Sequence, residues 1–391
     1  MRIFLSCQQA LVRHNAPAYS FWEGYFKHGL EEGRHTWLEA PGVDWAKGLT
    51  ALTPEARAGW LEETWSRTVA FLRTEHARQP VDFFLSYLFP DQVEPAAVQQ
   101  IRELGIPCVN FFCDNVREFT RVPKSYQPFD LHWVPEAEAL AMYDAAHLKF
   151  IHAPMPTWVP PAFRQPAEQE NETVIFIGSH DALREELLAE VVERGLRVQV
   201  HGSGWSERDA LPGPSPQAWP RRLSNQMNFW RRHGLRGYAM QASYRWRKRR
   251  PTAWMQELCA PSLMGNDYFR ATRESLVTIG INRYPSVRHS FRRPHSYSRL
   301  RDIEAPMLGA CYLTEQAPGL DQLYELGTEI ETYRDAAELV EKTNQLRRDP
   351  ARRQLLRRQG QRRALGTHSI SRSLERIQRE LGLAGKNGRR S

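Results

Sequence analysis

The sequence predicts an α/β protein of two Rossmann-like domains, each a parallel sheet wound with crossover helices, the two sheets facing a cleft. Three observations carry that expectation. With 391 residues the chain exceeds what one hydrophobic core organises. In both halves, apolar runs of strand length alternate with helical patterns, which is how a parallel sheet is written in sequence. Between the halves, residues 153–172 hold five prolines and then a polar run, so they resist regular structure and read as a linker.

In the first half the strand-length runs are 2–6, 81–87, 107–113 and 130–135. A long amphipathic helix is expected over 53–79, opened by Thr53-Pro54 as cap and first turn, and a second over 95–104, closed by Gly105. After the linker come a strand at 174–178, a helix at 183–194 closed by Gly195, a strand at 197–201 and a turn at Gly202-Ser203-Gly204. The rhythm resumes with a strand at 274–280, a helix at 300–308, a strand at 310–314 and a helix at 336–345. No repeat of solenoid length interrupts it.

Composition narrows the class. The hydrophobic fraction of 41% and charged fraction of 25% are those of a globular protein, and no run of about 20 apolar residues is present to span a bilayer. The first fifteen residues suit a buried strand better than a signal peptide. Cys7, Cys108, Cys113, Cys259 and Cys311 are odd in number, scattered, and lack zinc or disulfide spacing; reduced buried thiols in a cytoplasm are expected.

The net charge of +8 concentrates in two places. Between Arg221 and Arg250, basic residues alternate with Trp230, Tyr238, Tyr244 and Trp246; this composition suits an interfacial helix at an anionic lipid surface and equally a solvated helix covering its domain. The arginines from Arg347 to Arg363 follow a helical face and are expected to be solvated surface. Neither block has a zinc-finger spacing or an RNA-recognition signature, so nucleic acid is not the expected partner.

Two turns suit a phosphate. Phe-Ile-Gly-Ser-His-Asp-Ala-Leu-Arg, residues 176–184, sets Gly178 and Ser179 between a strand and a helix, where backbone N–H groups and the helix N-terminus attract anions. Gly202 and Ser203 repeat the arrangement after the next strand. A tight turn without ligand remains the alternative for each. The helix near residue 300 would project Arg299, Arg301 and Glu304, with Gly309 allowing a close turn into the next strand. Guanidinium groups suit a diphosphate, and a carboxylate suits a ribose diol; a salt-bridged surface helix would look the same. His14, His180, His201 and His289 are expected to be structural.

These segments carry a resemblance. Ser298 or Ser296 leading into the run Arg299-Leu-Arg301-Asp302-x-Glu304-Ala-Pro-x-x-Gly309-x-x-Tyr312-Leu-Thr314, then residues 327–333 and 360–372, resembles the glycosyltransferase family 1-like domain of CgeB-type spore-maturation proteins. Residues 174–179, 198–205 and 278–282 fit upstream, and Phe-Phe-Cys-Asp-Asn at 111–115 fits more loosely. The resemblance implies a GT-B fold: an acceptor-side domain over 1–165, a donor domain over 166–365 with the basic-aromatic insert at about 205–265, and a crossover helix with a basic tail over 366–391. It also implies a nucleotide-sugar co-substrate, no cofactor and no metal, so cationic side chains must neutralise the leaving diphosphate. Arg299, Arg301 and Arg283 are the candidates for that task. Gly178, Ser179, Gly202, Ser203, Glu304 and Gly309 are expected at the donor. Asp114, ending a strand of the first domain, is the candidate base, with an Asx turn as its alternative.

Retaining members of the wider group pair two glutamates about two helical turns apart. Glu304 resembles the second; the first falls near Ser296, which is not acidic, so retention and inversion both stay open. The expected activity is glycosyl transfer to a glycan, protein or lipid-linked acceptor. A non-catalytic nucleotide- or glycan-binding protein that kept the GT-B shell is the rival.

Overall fold

The computed structural model describes residues 1–14, 19–50, 52–165, 167, 169–205, 237, 239, 258–286, 289, 291 and 293–383. The chain divides into two compact units, Met1–Val159 with Leu365–Ser391, and Pro160–Ala364. Nearly all of the basic-aromatic stretch from Arg221 to Arg250 lies outside the described residues.

The first unit runs β1 (Arg2–Ser6), α1 (Tyr19–Glu32), β2 (Thr36–Leu38), α2 (Pro54–Arg78), β3 (Phe83–Tyr87), α3 (Pro95–Glu103), β4 (Cys108–Phe111), α4 (Asn115–Glu118), β5 (Leu131–Val134), α5 (Leu140–Ala145) and β6 (Phe150–His152). Its strands form one sheet in the order β2-β1-β3-β4-β5-β6, every pair parallel. Strands β3, β4 and β5 are buried along their whole length, as parallel strands covered on both faces must be. Helix α2 starts as its sequence dictates: the Thr53 hydroxyl accepts from the Ala56 N–H at 3.2 Å and Pro54 fills the first turn. Strand β3 begins at Phe83 rather than residue 81 because Asp82 turns its carboxylate to the Arg2 N–H, 2.7 Å away, at the sheet's amino edge.

The second unit runs β7 (Val174–Ile177), α6 (Ala182–Glu193), β8 (Gln199–His201), β9 (Cys259–Ala260), α7 (Gly265–Glu274), β10 (Val277–Gly280), β11 (Arg283–Tyr284), β12 (His295–Ser296), α8 (Arg301–Met307), β13 (Tyr312–Glu315), α9 (Leu320–Leu323), β14 (Glu331–Tyr333), α10 (Ala336–Arg348) and α11 (Pro350–Thr367). The main sheet has the order β14-β13-β10-β7-β8-β9, again parallel, while β11 and β12 form a short antiparallel ribbon. Its core packs Phe176, Leu187, Val191, Val200, Val277, Ile279, Leu313, Leu339 and Leu356. Burying such side chains stabilises by roughly 1.5–3 kcal/mol each.

Two sequence expectations are corrected here. Arg353 and Arg357, within the stretch read as solvated surface, are 7% and 6% exposed. Both reach the Glu170 carboxylate, at 2.6 and 3.0 Å, and Arg357 also donates to the Gly309 carbonyl at 3.1 Å. A carboxylate and carbonyl ends satisfy most of the guanidinium donors, which would otherwise be too costly to bury. The second correction concerns residue 300: the helix there opens at Arg301, so Arg299 precedes it. The Asp302 carboxylate accepts the Arg299 N–H at 2.9 Å and fixes that start.

The chain then returns to the first unit, to which everything from Leu365 belongs. Helix α12 (Ile370–Glu380) lies on α1. They meet where Gly29 leaves room: a Cβ there would stand 2.4 Å from Ile370 Cδ1. Arg376 donates to the His152 carbonyl at 2.7 Å, tying α12 to the end of β6.

Candidate active site

Open parallel sheets bind ligands outside the carboxyl ends of their strands, where the strand order reverses. In the second sheet the chain walks from β7 outward through β8 to β9, then returns to the other side of β7 to lay down β10, β13 and β14. Its reversal lies between β7 and β10.

The residues gathered at that edge begin with the two glycine turns. Gly178 N–H donates to the His201 carbonyl at 2.8 Å, and His180 N–H to Ser203 O at 2.9 Å, so the loops after β7 and β8 are laced together. Gly202 is fixed by contact as well as conformation: its φ is +140°, and a Cβ would lie 2.1 Å from Gly178 O. The Trp205 indole N–H donates to Gly178 O at 2.6 Å, which spends that carbonyl on the fold and leaves the turn's shape set before any ligand arrives.

Arg184 completes this edge. The Asp181 carboxylate accepts the N–H groups of Leu183 and Arg184, at 2.9 and 3.0 Å, and so caps α6. From the first turn the Arg184 guanidinium folds back to Ser179, donating to its carbonyl at 2.7 Å and its hydroxyl at 3.2 Å. It is 9% exposed, and its pKa is pushed down to about 10, first by burial and then by the positive charge of Arg299 and Arg301, with Asp181 opposing. Three guanidinium groups thus stand within electrostatic reach of one another, the arrangement an oligoanion relieves.

Arg299 stacks on Tyr297, 4.9 Å from the ring centre, and donates to the carbonyls of Asn282 and Arg283 at 3.4 and 3.2 Å. Those carbonyls follow β10, on the other side of the reversal. Asp302, wholly buried, holds the backbone of Arg299 in place: it accepts from the Tyr312 hydroxyl at 2.7 Å and Thr314 at 2.8 Å as well as from Arg299 N–H. Burial raises its pKa, and these hydrogen bonds oppose the rise. Arg301 lies over the Tyr268 ring at 5.2 Å. The Tyr268 hydroxyl donates to Glu304, which is 4% exposed; burial and then the Glu304 charge push the phenol pKa upward, against Arg301.

The structure therefore brings together Gly178, Ser179, Gly202, Ser203, Arg299, Arg301 and Glu304. Three expected residues stand elsewhere or are otherwise engaged. Arg283 donates through Nε to Glu315 at 2.7 Å, and Glu315 also accepts from the Arg283 and Asn282 N–H groups at 2.9 and 3.0 Å; its charge is matched within the fold. Gly309 follows the C-terminal end of α8, at the amino edge of the sheet, with φ +72° and Gln361 against it, and turns the chain into β13. Asp114 belongs to the first unit, between β4 and α4, and its side chain makes no capping hydrogen bond there.

Arg184 and Tyr268 were not singled out from sequence. Arg184 had a signal, a basic residue in the first turn of the helix after a glycine turn. Tyr268 had none, since its meeting with Glu304 across 36 residues is tertiary. Among the described residues no group of three or more His, Cys, Asp or Glu side chains is placed to hold a metal ion, and no helix is long and apolar enough to cross a membrane.

A family model described as glycosyl transferase-like matches residues 183–379, from the first turn of α6 to the end of α12. The chain belongs to the glycosyl transferase-like family. No curated protein matches it by sequence. This glycosyltransferase shares its fold with solved GT-B enzymes over nearly its whole length. It is 12% identical to a sucrose-phosphate synthase from Thermosynechococcus elongatus, with a TM-score of 0.58 over 98% of this chain and 99% of that one. To a DNA-modifying β-glucosyltransferase it is 11% identical, with a TM-score of 0.51 over 98% and 100% of the two chains. To HepE of Anabaena, in complex with UDP and glucose, it is 13% identical, with a TM-score of 0.50 over 98% and 99%.

Proposed function

We propose that this glycosyltransferase holds a nucleoside diphosphate sugar on its second unit and transfers the sugar to an acceptor hydroxyl without a metal ion. The observation that carries the reading is the set of three guanidinium groups, Arg184, Arg299 and Arg301, beside two glycine turns at the point where the strand order reverses. Leaving-group charge grows on the diphosphate as the glycosidic bond breaks. Fixed cations and backbone N–H groups aimed at it stabilise the transition state more than the ground state. Glu304, set by Tyr268, is the acceptor for the ribose hydroxyls. On the acceptor side, Asp114 takes the proton of the attacking hydroxyl. One structural relative is known with its substrate uridine diphosphoglucose and another with UDP and glucose, which supports a nucleotide-sugar donor. The Ser298–Thr314 run supports a CgeB-type member of the family.

The test is a thermal-shift and calorimetric screen with UDP-, GDP-, ADP- and dTDP-sugars on the protein and its Arg299→Ala and Glu304→Ala variants. A ligand that binds only the folded state raises the melting temperature. One nucleotide class should do so, and both variants should lose most of the effect. Folded protein that ignores every donor would sink the reading; donor binding without turnover on any acceptor would favour the non-catalytic shell.

A further inference from the structure

Glu315, at the end of β13, is a buried carboxylate to which the transfer chemistry gives no task. Its oxygens meet the turn that follows β10. Oε2 accepts the N–H groups of Asn282 and Arg283, at 3.0 and 2.9 Å, and Oε1 accepts Arg283 Nε at 2.7 Å. Asn282, also buried, returns the contact: its side-chain amide donates to the Glu315 carbonyl at 2.8 Å and to Thr314 Oγ1 at 3.2 Å. Gly280 makes room for this, since a Cβ there would run into the hydroxyls of Tyr312 and Thr314. The Thr314 hydroxyl in turn donates to Asp302 at 2.8 Å, and Asp302 accepts the Arg299 N–H. A chain of hydrogen bonds thus runs from Glu315 through Asn282, Thr314 and Asp302 to the backbone of Arg299.

The same turn holds the guanidinium. Arg299 Nε donates to the Asn282 carbonyl at 3.4 Å and Nη2 to the Arg283 carbonyl at 3.2 Å, which closes the chain into a ring. The Asn282 carbonyl and the Arg283 N–H belong to one planar peptide unit. Glu315 grips one side of that plane and Arg299 the other, so the carboxylate fixes where the carbonyl faces and polarises it into a stronger acceptor. A guanidinium carries five N–H groups set as forks. Nε and one Nη2 proton, the side-on fork, are taken by the turn. Both Nη1 protons and the second Nη2 proton have no partner among the described residues, so the end-on fork stays open. Arg283 completes the design: its guanidinium, 2.7 Å from Glu315, cancels the carboxylate charge, and Glu315 therefore orients Arg299 without neutralising it.

We propose that Asn282 and Glu315 are positioning residues for glycosyl transfer: they tie the side-on fork of Arg299 to the turn, so that its end-on fork is held ready for the leaving diphosphate. The inference rests on the donor reading proposed above. An arginine side chain has much rotamer freedom to lose when it grips a ligand, and here that freedom is given up during folding. A fork fixed beforehand meets the growing charge of the leaving group without reorganising.

The test compares affinities for UDP and for uridine, by calorimetry and NMR titration, in the parent protein, Arg299→Ala, Arg299→Lys, Asn282→Ala, Glu315→Gln and the double variant Arg299→Ala with Glu315→Gln. Where the donor screen selects another base, its diphosphate and nucleoside replace UDP and uridine. Arg299→Ala should lose UDP affinity about ten- to a hundredfold, the range of charge-assisted hydrogen bonds. Asn282→Ala and Glu315→Gln should lose about three- to tenfold, and all three should keep their uridine affinity. Without Arg299, Glu315→Gln should cost nothing further, because its effect passes through that side chain. Arg299→Lys keeps the charge, gives up the fork and spares the buried network, so it carries the test where a buried variant fails to fold; it should lose nearly as much as Arg299→Ala. A Glu315→Gln loss that is equal for UDP and uridine, or that persists in full without Arg299, would show Glu315 to be merely structural and overturn the proposal. So would unchanged UDP affinity in Glu315→Gln and Asn282→Ala, or parental UDP affinity in Arg299→Lys beside a weakened Arg299→Ala. Parental UDP affinity in Arg299→Ala would instead strike the donor reading.

Discussion

Two buried ionisable side chains in the first unit should give it opposing pH responses that single substitutions can separate. His132 on β5 packs against the rings of Tyr126, Phe129 and Tyr143 at 6.0, 5.9 and 5.1 Å, and burial holds its pKa down to about 3 from an ordinary 6.5. Glu136, just past the same strand, is pushed up to about 8 from 4.5, chiefly by burial, with the Asn115 hydrogen bond opposing and the nearby Asp114 charge adding. For His132 the unfolded chain binds more protons between those two values, so stability falls as pH drops through 6.5 toward 3. For Glu136 the folded chain binds more protons, so stability falls as pH rises through 4.5 toward 8.

Worked through the linkage relation, going from about pH 7 to pH 5 costs about 2 kcal/mol at His132 and returns about 2.5 kcal/mol at Glu136. The parent protein should therefore change little from this pair. Glu136→Gln, which keeps only the histidine response, should lose about 2 kcal/mol on acidification. His132→Phe, which keeps only the carboxyl response, should gain about 2.5 kcal/mol. Every other titrating group is common to both variants and cancels in their difference of about 4.5 kcal/mol. Urea denaturation at the two pH values, followed by the fluorescence of Trp45, Trp60, Trp65 and Trp133 in the first unit, measures it. Two variants with the same pH slope would refute the assignment of either burial effect.

Arg184→Ala should weaken UDP binding by about 1.5–3 kcal/mol, the range of a charge-assisted hydrogen bond, as read by calorimetry, while far-ultraviolet circular dichroism stays unchanged. Tyr268→Phe should leave UDP binding measurable but cut its preference over 2′-deoxy-UDP by about 1 kcal/mol, since the hydroxyl that orients Glu304 is gone; an unaltered preference in competition titrations would remove Tyr268 from ribose recognition. Arg357→Met leaves Glu170 and several carbonyls short of a buried partner and should lower the stability of the second unit by about 3–5 kcal/mol in thermal melts, with no direct effect on the donor edge.

The repeating units were legible because the strands are short apolar runs and the helices carry local signals. Thr53-Pro54 opens α2, and Gly105 and Gly195, with φ of +80° and +88°, follow α3 and α6 as expected. Strand β2, three residues long, and α1, whose pattern is broken by Gly24, Lys27 and Gly29, offered too little periodicity to read. At the donor edge the residue types were visible but their allegiances were not. Arg283 and Arg299 look alike in sequence; one is matched by Glu315, 32 residues on, and the other is presented beside Arg184 by Asp302. Burial of Arg353 and Arg357 depended on Glu170, more than 180 residues away, a pairing that no local pattern announces.

Helix α12 gives the molecule an order of assembly. The first unit is made of the opening 159 residues and those from Leu365 onward, and α12 fills the hollow left by Gly29 on α1. A ribosome delivers the two parts at separate times, with the whole second unit emerging between them. The α1 face of the first unit therefore stays uncovered until α12 has been made. The first unit is completed only after the second, and a chain cut short before Ile370 would carry an intact second unit and a first unit that has never been closed.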